Sequence, residues 1–218
     1  MPPNSLDALN KAAAVEALEC FGVLPTQPDD NLGLGTIALL GPREPGFWPH
    51  FTASPEFADG APDPMDRWST RVITALAEAA GGSPLFPFGQ PARPFIGWAL
   101  RSGQAFVSPA SMLVHAKVGL FVSYRGAVFL PDLTAEPAPM PNPCTTCAEK
   151  PCLTACPTGA ITEQGYDLPA CHEFLDTDAG DSCRSKGCAV RRSCPLARNY
   201  PRIDAQSEFH MKAFHPWP

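Results

Sequence analysis

Eight of the nine cysteines in this 218-residue chain fall between Cys144 and Cys194. Such crowding constrains the fold more than any hydrophobic pattern does. Thiols this close in sequence pair as disulfides or converge on metal, and loops and short helices must carry them. The first run reads Cys144-x2-Cys147-x4-Cys152-x3-Cys156-Pro157. The second set is Cys171, Cys183, Cys188 and Cys194-Pro195, so both end in Cys-Pro. Cys20 stands far upstream and reads as a small buried hydrophobe.

Three chemistries compete for the eight thiols. Disulfides need an oxidising compartment, and the N-terminal Met1-Pro2-Pro3-Asn4-Ser5 has neither a basic n-region with an apolar stretch behind it nor a twin-arginine motif. The expected location is the cytoplasm, where thiols stay reduced. Two all-cysteine zinc sites would use the same ligand count, but zinc ribbons favour paired C-x2-C knuckles and this chain has one. The bacterial cluster-binding run is C-x2-C-x2-C-x3-C-P, in which three thiolates of one tight loop reach one cube and the fourth reaches the other. The middle gap here is longer, while the opening pair, the closing gap and the proline match. The expectation is two [4Fe–4S] clusters with crossed ligation. Cys144, Cys147, Cys152 and Cys194 would hold one, and Cys156, Cys171, Cys183 and Cys188 the other, with no cysteine of the eight left over.

The formal charge of -6 gives the chain as a whole no attraction for nucleic acid or an anionic membrane. No apolar run approaches the ~20 residues of a membrane span. Basic residues do crowd the cysteine segment: Lys150, Arg184, Lys186, Arg191, Arg192, Arg198 and Arg202. Cations beside anionic clusters raise their potentials. A solvated basic face would instead dock an acidic electron donor, and that role is expected for most of the seven. His172, next to Cys171, is expected to support a ligand rather than to be one.

The 27 prolines are more than twice ordinary usage, which implies a loop-rich chain with short elements. Residues 5–20 have apolar positions at helical spacing, with Ser5 as cap and Gly22 as terminator. GTIALL, Gly35 to Leu40, reads as a buried strand before Gly41-Pro42. Asp63-Pro64-Met65-Asp66 starts a helix that runs to Ala79 and stops at Gly81-Gly82. Phe95 to Leu100 reads as a strand. Val118–Val122 and Ala127–Leu130 read as two arms of a hairpin with Tyr124-Arg125-Gly126 at its bend. Gln206 to His215 reads as a short helix docking on the body. Trp48, Trp68, Trp98 and Trp217 are expected in core or interface positions. The stiff EPAPMPNP stretch, Glu136 to Pro143, suggests a boundary near residue 140, with one domain over 1–140 and a second over 141–218.

Two stretches resemble known families. Cys144 to Cys194, with its Cys156-Pro157-Thr158-Gly159-Ala160-Ile161 exit, is similar to the dicluster segment of epoxyqueuosine reductases and corrinoid reductive dehalogenases. The crossed ligand set is what that resemblance implies; the x4 and x5 gaps of the last cysteine trio are wider than theirs. His115 to Pro131 resembles a strand hairpin of the CblC cobalamin-processing proteins, and Cys20-Phe21-Gly22 and Asp63-Pro64-Met65-Asp66 sit in the same order as in that family. The resemblance implies an α+β chain: a nitroreductase-like, CblC-like sheet-and-helix domain, then a ferredoxin-like dicluster module. His115, Tyr124, Arg125 and Gly126 become candidates for a corrinoid or anion site, since an arginine there can grip a carboxylate or phosphate bidentately. The implied activity is that of an iron–sulfur oxidoreductase passing electrons to cobalamin or another corrinoid. Its donor would be a flavodoxin, a ferredoxin or a flavin reductase. The alternative is a dicluster electron carrier or redox subunit without a corrinoid.

Overall fold

A computed structural model describes residues 6–162 and 165–217. In chain order the elements are α1 (Leu6–Val15), β1 (Leu18–Pro25), β2 (Gly35–Pro42), α2 (Phe47–Thr52), α3 (Pro55–Ala58), α4 (Pro64–Ala79), β3 (Ser83–Leu85), α5 (Phe95–Arg101), β4 (Ala105–Val107), β5 (Leu113–His115), β6 (Gly126–Pro131), β7 (Ile161–Thr162), β8 (Gly165–Tyr166), α6 (Leu168–Leu175), α7 (Asp181–Lys186), α8 (Ala189–Ser193), α9 (Pro195–Asn199) and α10 (Asp204–Phe214). The architecture is α+β, and the sheets are small and antiparallel. No helix among the described residues is long and apolar enough to cross a membrane. The chain divides into two compact units, Met1–Gln104 with Ser123–Met140, and Ala105–Val122 with Pro141–Pro218.

The first unit is built on a four-stranded sheet in the order β1-β2-β6-β3. Strand β2 is buried along nearly its whole length, as its unbroken apolar run requires. Helix α4 buries Trp68, Val72, Ile73 and Leu76, a stripe at helical spacing. Pro64 takes its first turn, and Asp63 precedes it at φ 52 without a side-chain cap bond. Trp68 stands edge-on to Phe47, 5.4 Å between ring centroids, and to Phe51 at 6.0 Å. Asp30, 4 % exposed, ties the loop after β1 to α5. Its carboxylate accepts from Trp98 Nε1 at 2.7 Å, from Arg101 Nη1 at 2.8 Å and Nη2 at 3.1 Å, and from the Gln27 amide at 2.7 Å.

Three local expectations fail here. The first helix stops at Val15 because Ala17 turns left-handed (φ 52), and Leu18 then opens β1, so Cys20 lies in a strand and is half-buried. Its thiol donates to the Gly22 carbonyl at 3.4 Å, beside a bulge in the β1–β2 ladder. Phe95 to Leu100 is helix α5, not a strand: Phe95, Trp98 and Ala99 are buried at positions i, i+3 and i+4 while Ile96 is 66 % exposed. The hairpin over 118–130 does not form. The Arg125 amide donates to the Leu40 carbonyl, and β6 pairs with β2 and β3 instead. The Ser5 cap lies outside the described residues.

The second unit holds two short ladders, β4–β5 and β7–β8, and helices α6 to α10. Its core joins Ala110, Val114 and Leu120 to Cys152, Ile161, Val190, Cys194 and Ala197. Residues 118–122 are buried except for half-buried Phe121, but Gly119 at φ +61 breaks the extension, so this apolar run is covered without forming a strand. The expected C-terminal helix is α10, which packs on α7 and buries Gln206 and Ser207.

Candidate metal centre

Four cysteines of the second unit, Cys144, Cys147, Cys152 and Cys194, line one cavity of about 270 Å³. Short elements bring them there. Asn142 caps a 3₁₀ turn through its Oδ1, which accepts from the Cys144 amide at 3.0 Å. Cys152 lies in a second 3₁₀ turn, started by Pro151 after Lys150 turns left-handed (φ 42). Cys194 sits where α8 ends and α9 begins, with Pro195 opening α9. The remaining wall is largely apolar and includes Val114, Leu120 and Leu196.

Gly119 shapes this wall. A Cβ there would lie 2.7 Å from the Ala197 amide nitrogen, 2.9 Å from Cys194 Sγ and 3.0 Å from Leu196 Cβ. The segment carrying Val114, Gly119 and Leu120 is thus fitted to the chain around Cys194. No motif in the sequence marks Gly119 as a site residue; its one signal is a glycine inside the apolar run Val118 to Val122.

Charge interactions group the thiols. Burial pushes the Cys144 thiol up, and negative charge on Cys152, Cys194 and Cys147 adds to the rise. Burial also raises Cys152, backbone bonds from Cys152 and Ala110 oppose it, and Cys194 and Cys147 add to it. A second group forms around Cys171. Burial raises that thiol, a hydrogen bond from Tyr166 opposes, and charge on Cys188, Cys156 and Cys183 adds. Cys188 is raised by burial against the backbone N–H groups of Arg191 and Val190 and the Arg191 charge, with Cys183 adding to the rise. Cys156 differs: burial raises it, but bonds from the Thr158 hydroxyl and amide and from the Ile161 and Ala160 amides bring it below the ordinary thiol value. One cavity brings Cys144, Cys147, Cys152 and Cys194 together, and charge interactions link Cys171 with Cys156, Cys183 and Cys188.

This donor set fits a polynuclear cluster. Thiolate ligands, a largely apolar wall and amide N–H groups aimed at sulfur suit such clusters. Among the described residues, no three His, Cys, Asp or Glu side chains close to the spacing that one metal ion needs. The four thiols surround a space instead.

The basic residues are more tightly bound than a docking face requires. Arg184 donates to the Leu175 and Thr177 carbonyls, and Arg192 to the Gly187 carbonyl and Ser182 Oγ. Arg202 donates to Ser207 Oγ and lies 5.1 Å over the Phe121 ring. Arg191 donates to the Leu120 carbonyl at 2.6 Å. Lys150, Lys186 and Arg198 remain exposed. His172 packs 4.3 Å from the His215 ring, and His215 Nε2 is 2.8 Å from Asp176 Oδ1.

The other candidates fall in both units. His115, on β5 in the second, is fully buried, and its Nδ1 accepts from the Lys117 amide at 3.1 Å. Tyr124, Arg125 and Gly126 belong to the first. Gly126 is a packing position: a Cβ there would meet Ile73 Cδ1 at 2.7 Å and the Leu85 carbonyl at 2.9 Å. Tyr124 is 8 % exposed, with its ring against Phe21 and Phe95, and its hydroxyl has no partner among the described residues. Burial first, and then charge on Cys20, pushes that phenol far up. Arg125 Nε is enclosed and likewise unpartnered. Burial pushes this guanidinium down while Asp66 opposes; burial lifts Asp66 more than Arg125 lowers it.

This chain is similar to an epoxyqueuosine reductase. Over 135 residues it is 27 % identical to that of Leadbetterella byssophila, a match covering 55 % of this chain and 43 % of the relative. The chain thus spans less than half the length of that reductase. The likeness, distant and partial, supports a relation to that reductase family. No family model matches the chain, and no solved structure matches it.

Proposed function

We propose that the chain is an iron–sulfur redox protein that relays electrons through two [4Fe–4S] clusters. Cys144, Cys147, Cys152 and Cys194 would hold one, and Cys156, Cys171, Cys183 and Cys188 the other. The observation that carries this reading is the single cavity shared by the first four thiols, whose members are separated by up to fifty residues of chain. The similarity to a reductase supports a redox role. Bound there, the clusters supply reversible one-electron transfer. The protein supplies thiolates, amide hydrogen bonds to Cys156 and Cys188, and a largely apolar wall around the Cys144 set.

The finer reading gives the relay an acceptor. The second unit acts as a ferredoxin-like module, and the first as a nitroreductase-like, CblC-like domain that binds a corrinoid. Arg125 would hold an anionic group of that ligand, and its enclosed, unpartnered Nε supports this. A one-electron donor of the flavodoxin, ferredoxin or flavin reductase kind would meet exposed Lys150, Lys186 and Arg198.

Two measurements test the reading. Anaerobic reconstitution should load about eight irons, two cubes of four. Cys194→Ala should damage the site of Cys144, and Cys156→Ala the site of Cys171; loss from the same cube in both variants would refute the crossing. Titration of the loaded protein with cob(II)alamin, followed by EPR, should give saturable binding. Its absence would leave a two-cluster carrier without a corrinoid.

A further inference from the structure

Helix α10 lies against the stretches that carry the Cys171 set. Its Phe214 ring stands edge-on to His172, 5.0 Å between centroids, and His172 follows Cys171 on α6. The helix packs on α7, which carries Cys183. Nearer its start, Ser207 meets Gly187, the residue before Cys188: a Cβ at Gly187 would lie 3.0 Å from Ser207 Cβ. One helix thus touches the neighbourhoods of three of the four thiols.

Two polar residues of α10 are buried on this side, Gln206 at 0 % exposure and Ser207 at 4 %. Ser207 is satisfied, since its Oγ accepts from Arg202 Nε at 3.2 Å. Gln206 is not. Neither its Nε2 nor its Oε1 has a hydrogen-bond partner among the described residues, so turning the amide over does not satisfy it. Leaving a buried amide unbonded is costly, and most buried polar groups of native proteins have a partner. The Nε2 group offers two donors, and the sulfurs of an anionic cluster are acceptors.

We propose that Gln206 is a hydrogen-bond donor to the cluster at the Cys156–Cys171–Cys183–Cys188 site, with Nε2 directed at a cluster sulfur. The inference rests on the two-cluster reading. No covalent bond is made or broken. The amide favours the reduced, more negative state of that site, because hydrogen bonds to cluster sulfur raise the potential.

The test uses the cluster-loaded full chain, grown with glutamine whose side-chain amide carries nitrogen-15. Pulsed EPR of the reduced wild type should show labelled nitrogen coupled to the Cys171-site signal, and Gln206→Met should lose that coupling. In an anaerobic redox titration, Gln206→Met should lower the electron affinity of the Cys171 site about tenfold, which is about 59 mV for one electron, and leave the Cys144 site in place. Ser207→Ala disturbs the same helix contact without touching the amide, and both sites should keep their wild-type potentials. Wild type without the coupling, Gln206→Met with wild-type potentials, or Ser207→Ala that shifts the Cys171 site as far as Gln206→Met would each overturn the proposal. If Gln206→Met does not load, Gln206→Glu decides, since it keeps the shape and removes the labelled nitrogen: lost coupling supports the donor role, and retained coupling refutes it. A wild-type protein that loads no clusters would instead refute the two-cluster reading itself.

Discussion

Gly119→Ala tests whether the segment before β6 shapes the first thiol site. Residue 119 sits at φ +61, where a non-glycine residue costs about 1–2 kcal/mol. Its new Cβ would also lie 2.7 Å from a backbone nitrogen of α9 and 2.9 Å from Cys194 Sγ. The nitrogen cannot move without moving the helix, so the neighbour that gives is the thiol. Overpacking of this kind costs about 1–3 kcal/mol. The sum, about 2–5 kcal/mol, is a large part of the roughly 5–15 kcal/mol that holds a domain together. Gly159→Ala is the control. It has φ +66 but nothing within 4 Å of its Cβ, so it carries the conformational cost alone. Urea unfolding should separate the two variants by about 1–3 kcal/mol. Iron analysis should show preferential loss at the Cys144 site in Gly119→Ala only. Equal stability and equal iron in both variants would refute the claim that close approach, rather than backbone conformation, fixes this position.

Asp30→Ala should destabilise the first unit by about 3 kcal/mol, because Trp98 Nε1, Arg101 and the Gln27 amide lose a shared, buried acceptor; urea unfolding measures it. Burial raises the Asp30 carboxyl, but its bonds to Arg101, Gln27 and Trp98 leave it below its ordinary value of 3.8. Its contribution is therefore complete above about pH 4 and is lost as pH falls through the depressed value, so the acid limb of the stability profile should flatten in Asp30→Ala. Arg125→Ala should weaken cob(II)alamin binding at least tenfold, measured by anaerobic titration, with iron content unchanged; wild-type binding would remove Arg125 from the site.

What was legible in the sequence follows from how local each signal is. Strand β2 is an apolar run closed by Gly41-Pro42, and α4 opens on Asp63-Pro64; both are written in adjacent residues and both are present. The cysteine runs are equally local. By contrast, Phe95 to Leu100 is too short an apolar run for its period to be obvious, and only the burial of Phe95, Trp98 and Ala99 against exposed Ile96 identifies a helix. Val118 to Val122 is apolar as a buried strand is, yet Gly119 turns it, and Leu120 is buried against residues far along the chain. The basic residues are a further case: their abundance is legible, but that Arg184 is held by carbonyls while Lys186 is exposed is something no spacing pattern reveals.

The composition of the second unit explains why the segment 105–122 belongs to it. Residues 141–218 carry the cysteines on turns and short helices, and the apolar side chains they bring to the core are few. Val114 and Leu120, each 1 % exposed, complete that core. At about 1.5–3 kcal/mol for each buried side chain of this size, the pair contributes about 3–6 kcal/mol, and Leu120 also supplies the acceptor for Arg191. A small metal-binding unit has little other core to fall back on, and its ligand sites form only as it folds. A fragment of residues 141–218 should therefore lose most iron at the Cys144 site under anaerobic reconstitution. Adding residues 105–122 as a separate peptide should restore part of it. Full loading of the bare fragment, with the stability of the intact chain, would show that the thiol loops are self-sufficient and that the earlier segment only lies against them.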